Sequence, residues 1–322
     1  MLVDLDVLLP FHRHDKYLEQ AVASINSSKS ISFRLIAIDD RVDQSRSLSS
    51  LFATVKNLTY LSTPGGQGYG RALEEGSSAL DSPHTALFNS DDLVDPYRFK
   101  KQLDALNDSD LCLTSIRRID STGRETASYA GSTRSNQYHP LFLLFGAYGA
   151  NATWCMHRNW WQKNAFFDSL ESLDWRIAMT SFQNTRLSYL NEPLYFYRKH
   201  PTQITANKNP VFDSITPVFE TWQGFANSFT FLNNTRNVFN TVATPWIFQK
   251  RGAYSEISKW IDQVNIFISH FDSDISKDLK RIVQRRLIAA ALRTQGISFS
   301  NRLSYAIKGS PEIFSLLKEL LL

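Results

Sequence analysis

The sequence predicts an α/β protein in which a sheet flanked by helices is followed by a helical C-terminal region. Three observations carry that prediction. Strand-like and helix-like segments alternate through the first half of the chain, the pattern of α/β sheet domains. Two predicted strands are followed by paired aspartates, Asp39–Asp40 directly and Asp91–Asp92 after Asn89-Ser90. From about residue 211 onward helical periodicity dominates and glycine becomes sparse.

Each element has its own signal. Residues 3–10 (VDLDVLLP) are a short apolar run ending at proline, hence a buried strand. Residues 17–26 place Leu18, Val22 and Ile25 on one face, which is helical spacing. A second strand over 33–38 (FRLIAI) leads into Asp39, and residues 48–55 and 58–61 predict a helix and a third strand. Residues 64–70 (PGGQGYG) form a flexible turn before a helix over 71–80. A fourth strand, 85–88, stops at Asn89-Ser90-Asp91-Asp92, and Pro96 opens the next helix. Residues 111–119 predict a fifth strand, 121–137 a polar loop, 173–182 a helix, and 193–200 (PLYFYRKH) a strand entering a loop. A boundary near residues 207–210 divides a sheet domain, 1–208, from a helical region, 209–322.

Composition narrows the function. With 43% hydrophobic and 20% charged residues the chain has ordinary material for a sizeable core. A net charge of +4, with Lys and Arg scattered, argues against a nucleic-acid partner. The two cysteines, Cys112 and Cys155, lack metal-ligand spacing and read as reduced core thiols of a cytoplasmic protein. Residues 1–10 lack the basic start of a signal peptide, and no apolar run reaches the roughly 20 residues of a membrane span.

Chemistry concentrates where strands end. Open α/β sheets bind ligands beyond the carboxyl ends of their strands, where loops converge and helix N-termini point inward. Two acidic pairs at one sheet edge repel each other unless something positive joins them. A hard divalent cation bound to phosphate oxygens supplies that charge. Helix capping or turn formation is the alternative for either pair alone. The glycines at 66, 68 and 70 also invite comparison with a dinucleotide fingerprint. The third glycine is out of place, however, and the loop follows a third strand rather than a first.

Taken in order, these segments resemble the inverting GT-A glycosyltransferases of family two. The resemblance rests on residues 7–12 (VLLPFH), 35–40 (LIAIDD), the glycine-rich loop with its helix to Gly76, and 87–92 (LFNSDD). It continues through 167–175 (FDSLESLDW) and 191–200 (NEPLYFYRKH). It implies a GT-A-like, Rossmann-type nucleotide-binding sheet and transfer of a sugar from a nucleotide-diphosphate donor to a glycan or lipid-linked hydroxyl.

The resemblance also assigns roles. Asp40 corresponds to the acid that accepts a hydrogen bond from a uracil or thymine imide, which implies a UDP or dTDP donor. The backbone at Pro10 and Phe11 would pack on the base, and Arg71 would reach the diphosphate. Asp91 and Asp92 match the metal motif for Mn2+ or Mg2+, one toward the ribose or metal and the other on the metal. His200 matches a late histidine that completes the metal or diphosphate site. Asp174 is the expected general base, with Glu171 as its fallback. Asn89 departs from the family pattern, where a first Asp is common, and so does Leu173, where Glu is common.

Several readings stay open at this stage. Trp160, Trp161 and Trp175 are either sugar-stacking platforms or core. Residues 146–153 (GAYGANAT) would line the acceptor side. The helical region, with a basic stretch at 277–286 and an amphipathic one at 311–322, would dock peripherally on the inner face of a membrane, pair with a second subunit, or cap the domain. The rivals are a non-catalytic carbohydrate- or partner-binding relative, an NAD-dependent oxidoreductase and a sugar-phosphate nucleotidylyltransferase.

Overall fold

The computed structural model describes residues 3–13, 16–45, 47–129, 143–144, 146, 150–167, 173–181, 184–203, 216–229, 234–236, 238–239, 262–263, 266 and 269. The chain divides into two compact units: Met1–Tyr138 with Tyr148–Lys208, and His139–Ala147 with Asn209–Leu322. The first contains the sheet, and its α/β character is the one the sequence predicts.

Four parallel strands begin the sheet in the order β3-β2-β1-β4: β1 (Leu5–Phe11), β2 (Phe33–Asp39), β3 (Leu58–Ser62) and β4 (His84–Leu87). Every residue of β1 is buried, as befits a central strand covered on both faces. On one face Leu5, Val7, Leu9 and Phe11 form a core with Leu18, Ala21, Val22 and Ile25 of helix α1 (Lys16–Asn26). On the other, helix α3 (Tyr69–Ser78) lies over Leu8 and Ile38. A Cβ at Gly76 would come within 2.7 Å of Ile38 and 2.9 Å of Leu8, so this close approach requires glycine. Helix α2 is a single turn, Ser49–Phe52, shorter than the helix expected over 48–55.

Beyond β4 the sheet becomes mixed. After β5 (Leu93–Val94) and helix α4 (Arg98–Ala105) come β6 (Leu111–Ile119) and β7 (Glu125–Tyr129), then β8 (Cys155–His157), helices α5 (Arg158–Asn164) and α6 (Leu173–Ser181), and β9 (Leu187–Arg198). The order continues β4-β8-β6-β9-β5, with β7 on β6. Strand β8 is antiparallel to both neighbours, whereas β6 and β9 are parallel. Strand β7 occupies part of the stretch expected to be a polar loop; pairing of its backbone with β6 requires no apolar alternation. Strand β9 begins at Leu187 rather than 193, and its register on β6 shifts around Thr114 and Ser115. The Thr114 hydroxyl holds this irregularity by donating to the Glu192 carbonyl at 2.6 Å. Such a bulge re-aims the residues that follow it.

The N-terminal end of the strands holds a buried acid. Asp6, in β1, receives the Arg34 guanidinium through two bonds of 2.8 and 2.9 Å, the backbone N–H groups of Asp81 and Ser82, and the Ser82 hydroxyl. Burial raises its pKa, but these partners outweigh burial and hold the carboxyl below the usual range.

The second unit builds its own core around helix α7 (Thr216–Asn227). The Trp222 ring lies 5.3 Å from Phe239 and 6.5 Å from Phe219, and its indole N–H donates to the Leu144 carbonyl at 2.9 Å. The stretches at 277–286 and 311–322 lie outside the described residues. Among the described residues no helix is long and apolar enough to cross a membrane.

Candidate active site

At the carboxyl end of β2 the paired aspartates diverge. Asp39 turns toward helix α2, where Arg41 grips it through bonds of 2.7–3.1 Å and the Tyr60 hydroxyl donates at 2.5 Å. Burial raises the Asp39 carboxyl, and Arg41 and Tyr60 together more than offset that, leaving it below the usual range. Burial and Asp39 together push the Tyr60 phenol up to about 12. This network floors a pocket of about 530 Å³ between β3 and α2.

Asp40 turns the other way and organises the glycine-rich loop. Its carboxylate accepts the backbone N–H groups of Gln67 and Gly68, both at 2.8 Å, and the Thr63 hydroxyl. Gly65 has φ +89°, and a Cβ there would meet the Arg41 carbonyl at 2.6 Å, so the loop can wrap the carboxylate only with glycine at this position. The Phe11 carbonyl accepts the Asp40 N–H at 2.8 Å, which brings Pro10 and Phe11 to the same edge. The Phe11 ring points inward to Phe52 and Tyr60, so only its backbone can meet a ligand. Arg71, in the first turn of α3, is half exposed and pairs with Glu74.

The two acids after β4 separate by depth. Asp92 is fully buried: Oδ1 accepts the Arg198 backbone N–H at 2.7 Å, and Oδ2 accepts the Tyr195 hydroxyl at 2.6 Å and the Asn89 amide at 3.4 Å. Burial, then the adjacent Asp91 charge, push the Asp92 carboxyl well above the usual range. Asp91 is 31% exposed, and its Oδ2 lies 3.1 Å from His200 Nε2. The other imidazole nitrogen meets the Thr202 hydroxyl at 2.9 Å, and the ring packs on Tyr17 at 4.6 Å. The structure thus brings partly exposed Asp91 onto buried His200 and sets Asp92 beneath the turn. Asn89 contributes a neutral amide donor to Asp92 where a third carboxylate would add repulsion.

Among the described residues no three His, Cys, Asp or Glu side chains are arranged to hold a metal ion. An Asp–His pair nevertheless fits a divalent cation that takes most of its oxygens from phosphate and water, because such cations use only one or two carboxylates in phosphate sites.

Asp174 sits in the first turn of α6, half-buried. One oxygen accepts the Trp175 N–H at 2.9 Å, and no cation pairs with it among the described residues. Burial pushes its carboxyl above the usual range. Glu171 lies outside the described residues, as do parts of segment 146–153. The tryptophans are core: Trp161 donates to the Ser77 hydroxyl at 2.8 Å, Trp160 to the Thr185 hydroxyl at 2.9 Å, and Trp175 is buried. None is free to stack on a sugar.

A model of the family described as glycosyl transferase family 2 matches residues 6–170, just over half of the chain. The chain belongs to glycosyl transferase family 2. No curated protein sequence matches it. Among solved structures, that of S. aureus TarS 1-349 is similar at 14% identity, with a TM-score of 0.59, over 98% of this chain and 91% of that one. The same protein in complex with UDP-GlcNAc superposes with a TM-score of 0.58 at 14% identity, over 98% and 92% of the two chains. At that identity the likeness speaks to fold alone.

Sequence reasoning missed the roles of three residues around this family 2 site. Tyr195 and Arg198 clamp the Asn89–Asp92 turn from β9, Arg198 also donating to the Asp91 carbonyl at 2.7 Å. Arg98 is fully buried, its guanidinium 5.0–5.9 Å from the rings of Tyr195, Phe99 and Phe88. The signal for Tyr195 and Arg198 lay in the aromatic run before His200; for Arg98, in its i,i+4 spacing to Gln102, which it meets at 2.8 Å.

Proposed function

We propose that this family 2 glycosyltransferase moves a sugar with inversion from a UDP- or dTDP-sugar to a hydroxyl of a glycan or lipid-linked acceptor, using Mn2+ or Mg2+. The observation that carries the reading is the pairing of partly exposed Asp91 with His200 after β4, at the sheet edge where Asp40 follows β2. A bound cation would neutralise charge developing on the departing diphosphate. Asp91 and His200 would hold it, and Asp92, fixed by Tyr195 and Arg198, sets the height of the turn that presents Asp91.

Asp40 and the edge backbone at Pro10 and Phe11 receive the pyrimidine base, while Arg71 exchanges Glu74 for the diphosphate. Asp174 removes the acceptor proton as the new bond forms at C1. A carboxylate that burial disfavours in its charged form is a stronger base than a solvated one, which suits that role. Association of residues 209–322 with a lipid surface or a second copy belongs to the same proposal.

Donor turnover tests it. Release of UDP or dTDP from a panel of nucleotide sugars, with and without Mn2+, is expected to require the metal and to fall about 100-fold or more in Asp174→Asn. Metal-dependent turnover that survives that substitution would remove Asp174 as base.

A further inference from the structure

Arg98 is the first residue of α4, and its side chain is fully buried. Of its N–H donors the one on Nε is spent, donating to the Gln102 side-chain oxygen at 2.8 Å. Gln102 is itself locked: its amide nitrogen donates to the Cys112 and Thr153 carbonyls at 2.9 and 2.8 Å, which leaves its oxygen for Arg98. The two terminal nitrogens, Nη1 and Nη2, are buried with no hydrogen-bond partner among the described residues. Burial lowers the guanidinium pKa only to about 10, so the group stays a cation at neutral pH.

A buried cation with unmet donors is costly, and an apolar side chain of similar length would fill the space without that cost. What surrounds the guanidinium accounts for it. Its central carbon lies 5.0 Å from the ring centre of Tyr195, 5.1 Å from that of Phe99 and 5.9 Å from that of Phe88. At such distances a cation is attracted to an aromatic ring. Two of these rings control the turn after β4. Phe88 immediately precedes Asn89 and meets Tyr195 edge-on at 5.4 Å. The Tyr195 hydroxyl accepts the Asn89 backbone N–H at 3.4 Å and donates to Asp92 Oδ2 at 2.6 Å. One oxygen therefore spans the turn from its first residue to its last. A positive charge over the ring strengthens that hydroxyl as a donor, which a hydrocarbon could not do.

We propose that Arg98 is a positioning residue for the metal site: it holds Tyr195, Tyr195 holds both ends of the Asn89–Asp92 turn, and the turn presents Asp91 to the cation. The inference rests on the reading of Asp91 as a metal ligand. Arg98 acts without touching substrate or metal, and its influence on both passes through the Tyr195 hydroxyl.

The test reads Mn2+ affinity from the EPR signal of free Mn2+, with UDP present and corrected for UDP alone, alongside the melting temperature. Arg98→Met, which fills the space without a charge, is expected to weaken Mn2+ binding about 5-fold, the size of one impaired hydrogen bond. Tyr195→Phe should weaken it by a similar factor. The double variant should bind no more weakly than Tyr195→Phe alone, because both changes act on one hydroxyl. Arg98→Lys keeps the charge but loses the planar contact with the rings, and should lose about 2-fold. A lower melting temperature in Arg98→Met with unchanged Mn2+ affinity would make the residue purely structural and overturn the proposal, as would losses that multiply in the double variant. If Arg98→Met does not fold, Arg98→Lys decides, and Mn2+ affinity equal to wild type overturns the proposal. Wild-type protein that binds no Mn2+ would remove the metal reading and this inference with it, whereas an unchanged Arg98→Met removes only the role of Arg98.

Discussion

The two ends of the parallel strands treat the same side chain in opposite ways. At the N-terminal end Asp6 is buried and fully partnered, with a bidentate Arg34 and three further donors. At the C-terminal end Asp39 has Arg41, but Asp40, Asp91 and Asp92 have no Lys or Arg side chain as a partner among the described residues, and neither has Asp174 of α6. Arg198 lies among them, yet its side-chain N–H groups go to the Asp91 carbonyl and to Gln20. The pKa directions follow: Asp6 is held low, whereas Asp92 and Asp174 are pushed up. A fold that gives an arginine to Asp6 and to Asp39 and withholds one from Asp91 and Asp92 leaves that pair to be neutralised by what binds there.

The largest expected effect breaks the contrast at its functional end. Asp174→Asn should lower turnover by about 100- to 10,000-fold, the usual contribution of a general base. It should also keep or raise the melting temperature at pH 8. The sign follows from linkage: a folded pKa above the unfolded value means that ionisation costs stability as pH rises, and asparagine removes that cost. In the wild type the acid limb of the rate profile should lie above the ordinary aspartate range, with activity growing as Asp174 loses its proton. A destabilised Asp174→Asn would count against the contrast.

The opposite outcome is expected at the other end. Asp6→Asn should cost about 3 kcal/mol in denaturant unfolding, because it strands Arg34 and weakens three other donor contacts; nucleotide affinity should be unchanged. Since the folded pKa of Asp6 is depressed, its contribution is complete above the unfolded aspartate pKa and is lost as pH falls through the folded value. Acid unfolding of the wild type should therefore steepen below about pH 4, and the variant should lack that component.

A smaller effect sharpens the difference in depth between Asp91 and Asp92. Tyr195→Phe removes the shortest donor to buried Asp92 and should cost about 1–3 kcal/mol. If Asp92 only supports the turn, metal affinity should weaken modestly in Tyr195→Phe rather than vanish. Complete loss of metal binding would make Asp92 itself the ligand.

These regions also differ in how far the sequence reveals them. Strands β1, β2 and β4 were legible because burial concentrates apolar residues in short runs, as in 35–38 (LIAI). The acid pairs were legible because each follows such a run. Strands β5 and β8, of two and three residues, carry no periodicity and exist through long-range pairing. Asp6 gave no sign of its role, since Arg34 lies 28 residues away and meets it only once β1 and β2 pair. The separation of Asp91 from Asp92 depends on Tyr195, more than 100 residues distant, and on the bulge that aims β9. Pairing across that distance leaves no local pattern.

The claim that the C-terminal edge awaits positive charge from its ligands is tested most directly by calorimetry. UDP is titrated into the wild type and into Asp91→Asn, each with and without Mn2+. The account predicts binding that requires Mn2+ in the wild type and is weakened at least 10-fold in Asp91→Asn. UDP binding that is equally tight without metal, or unchanged in Asp91→Asn, would contradict it.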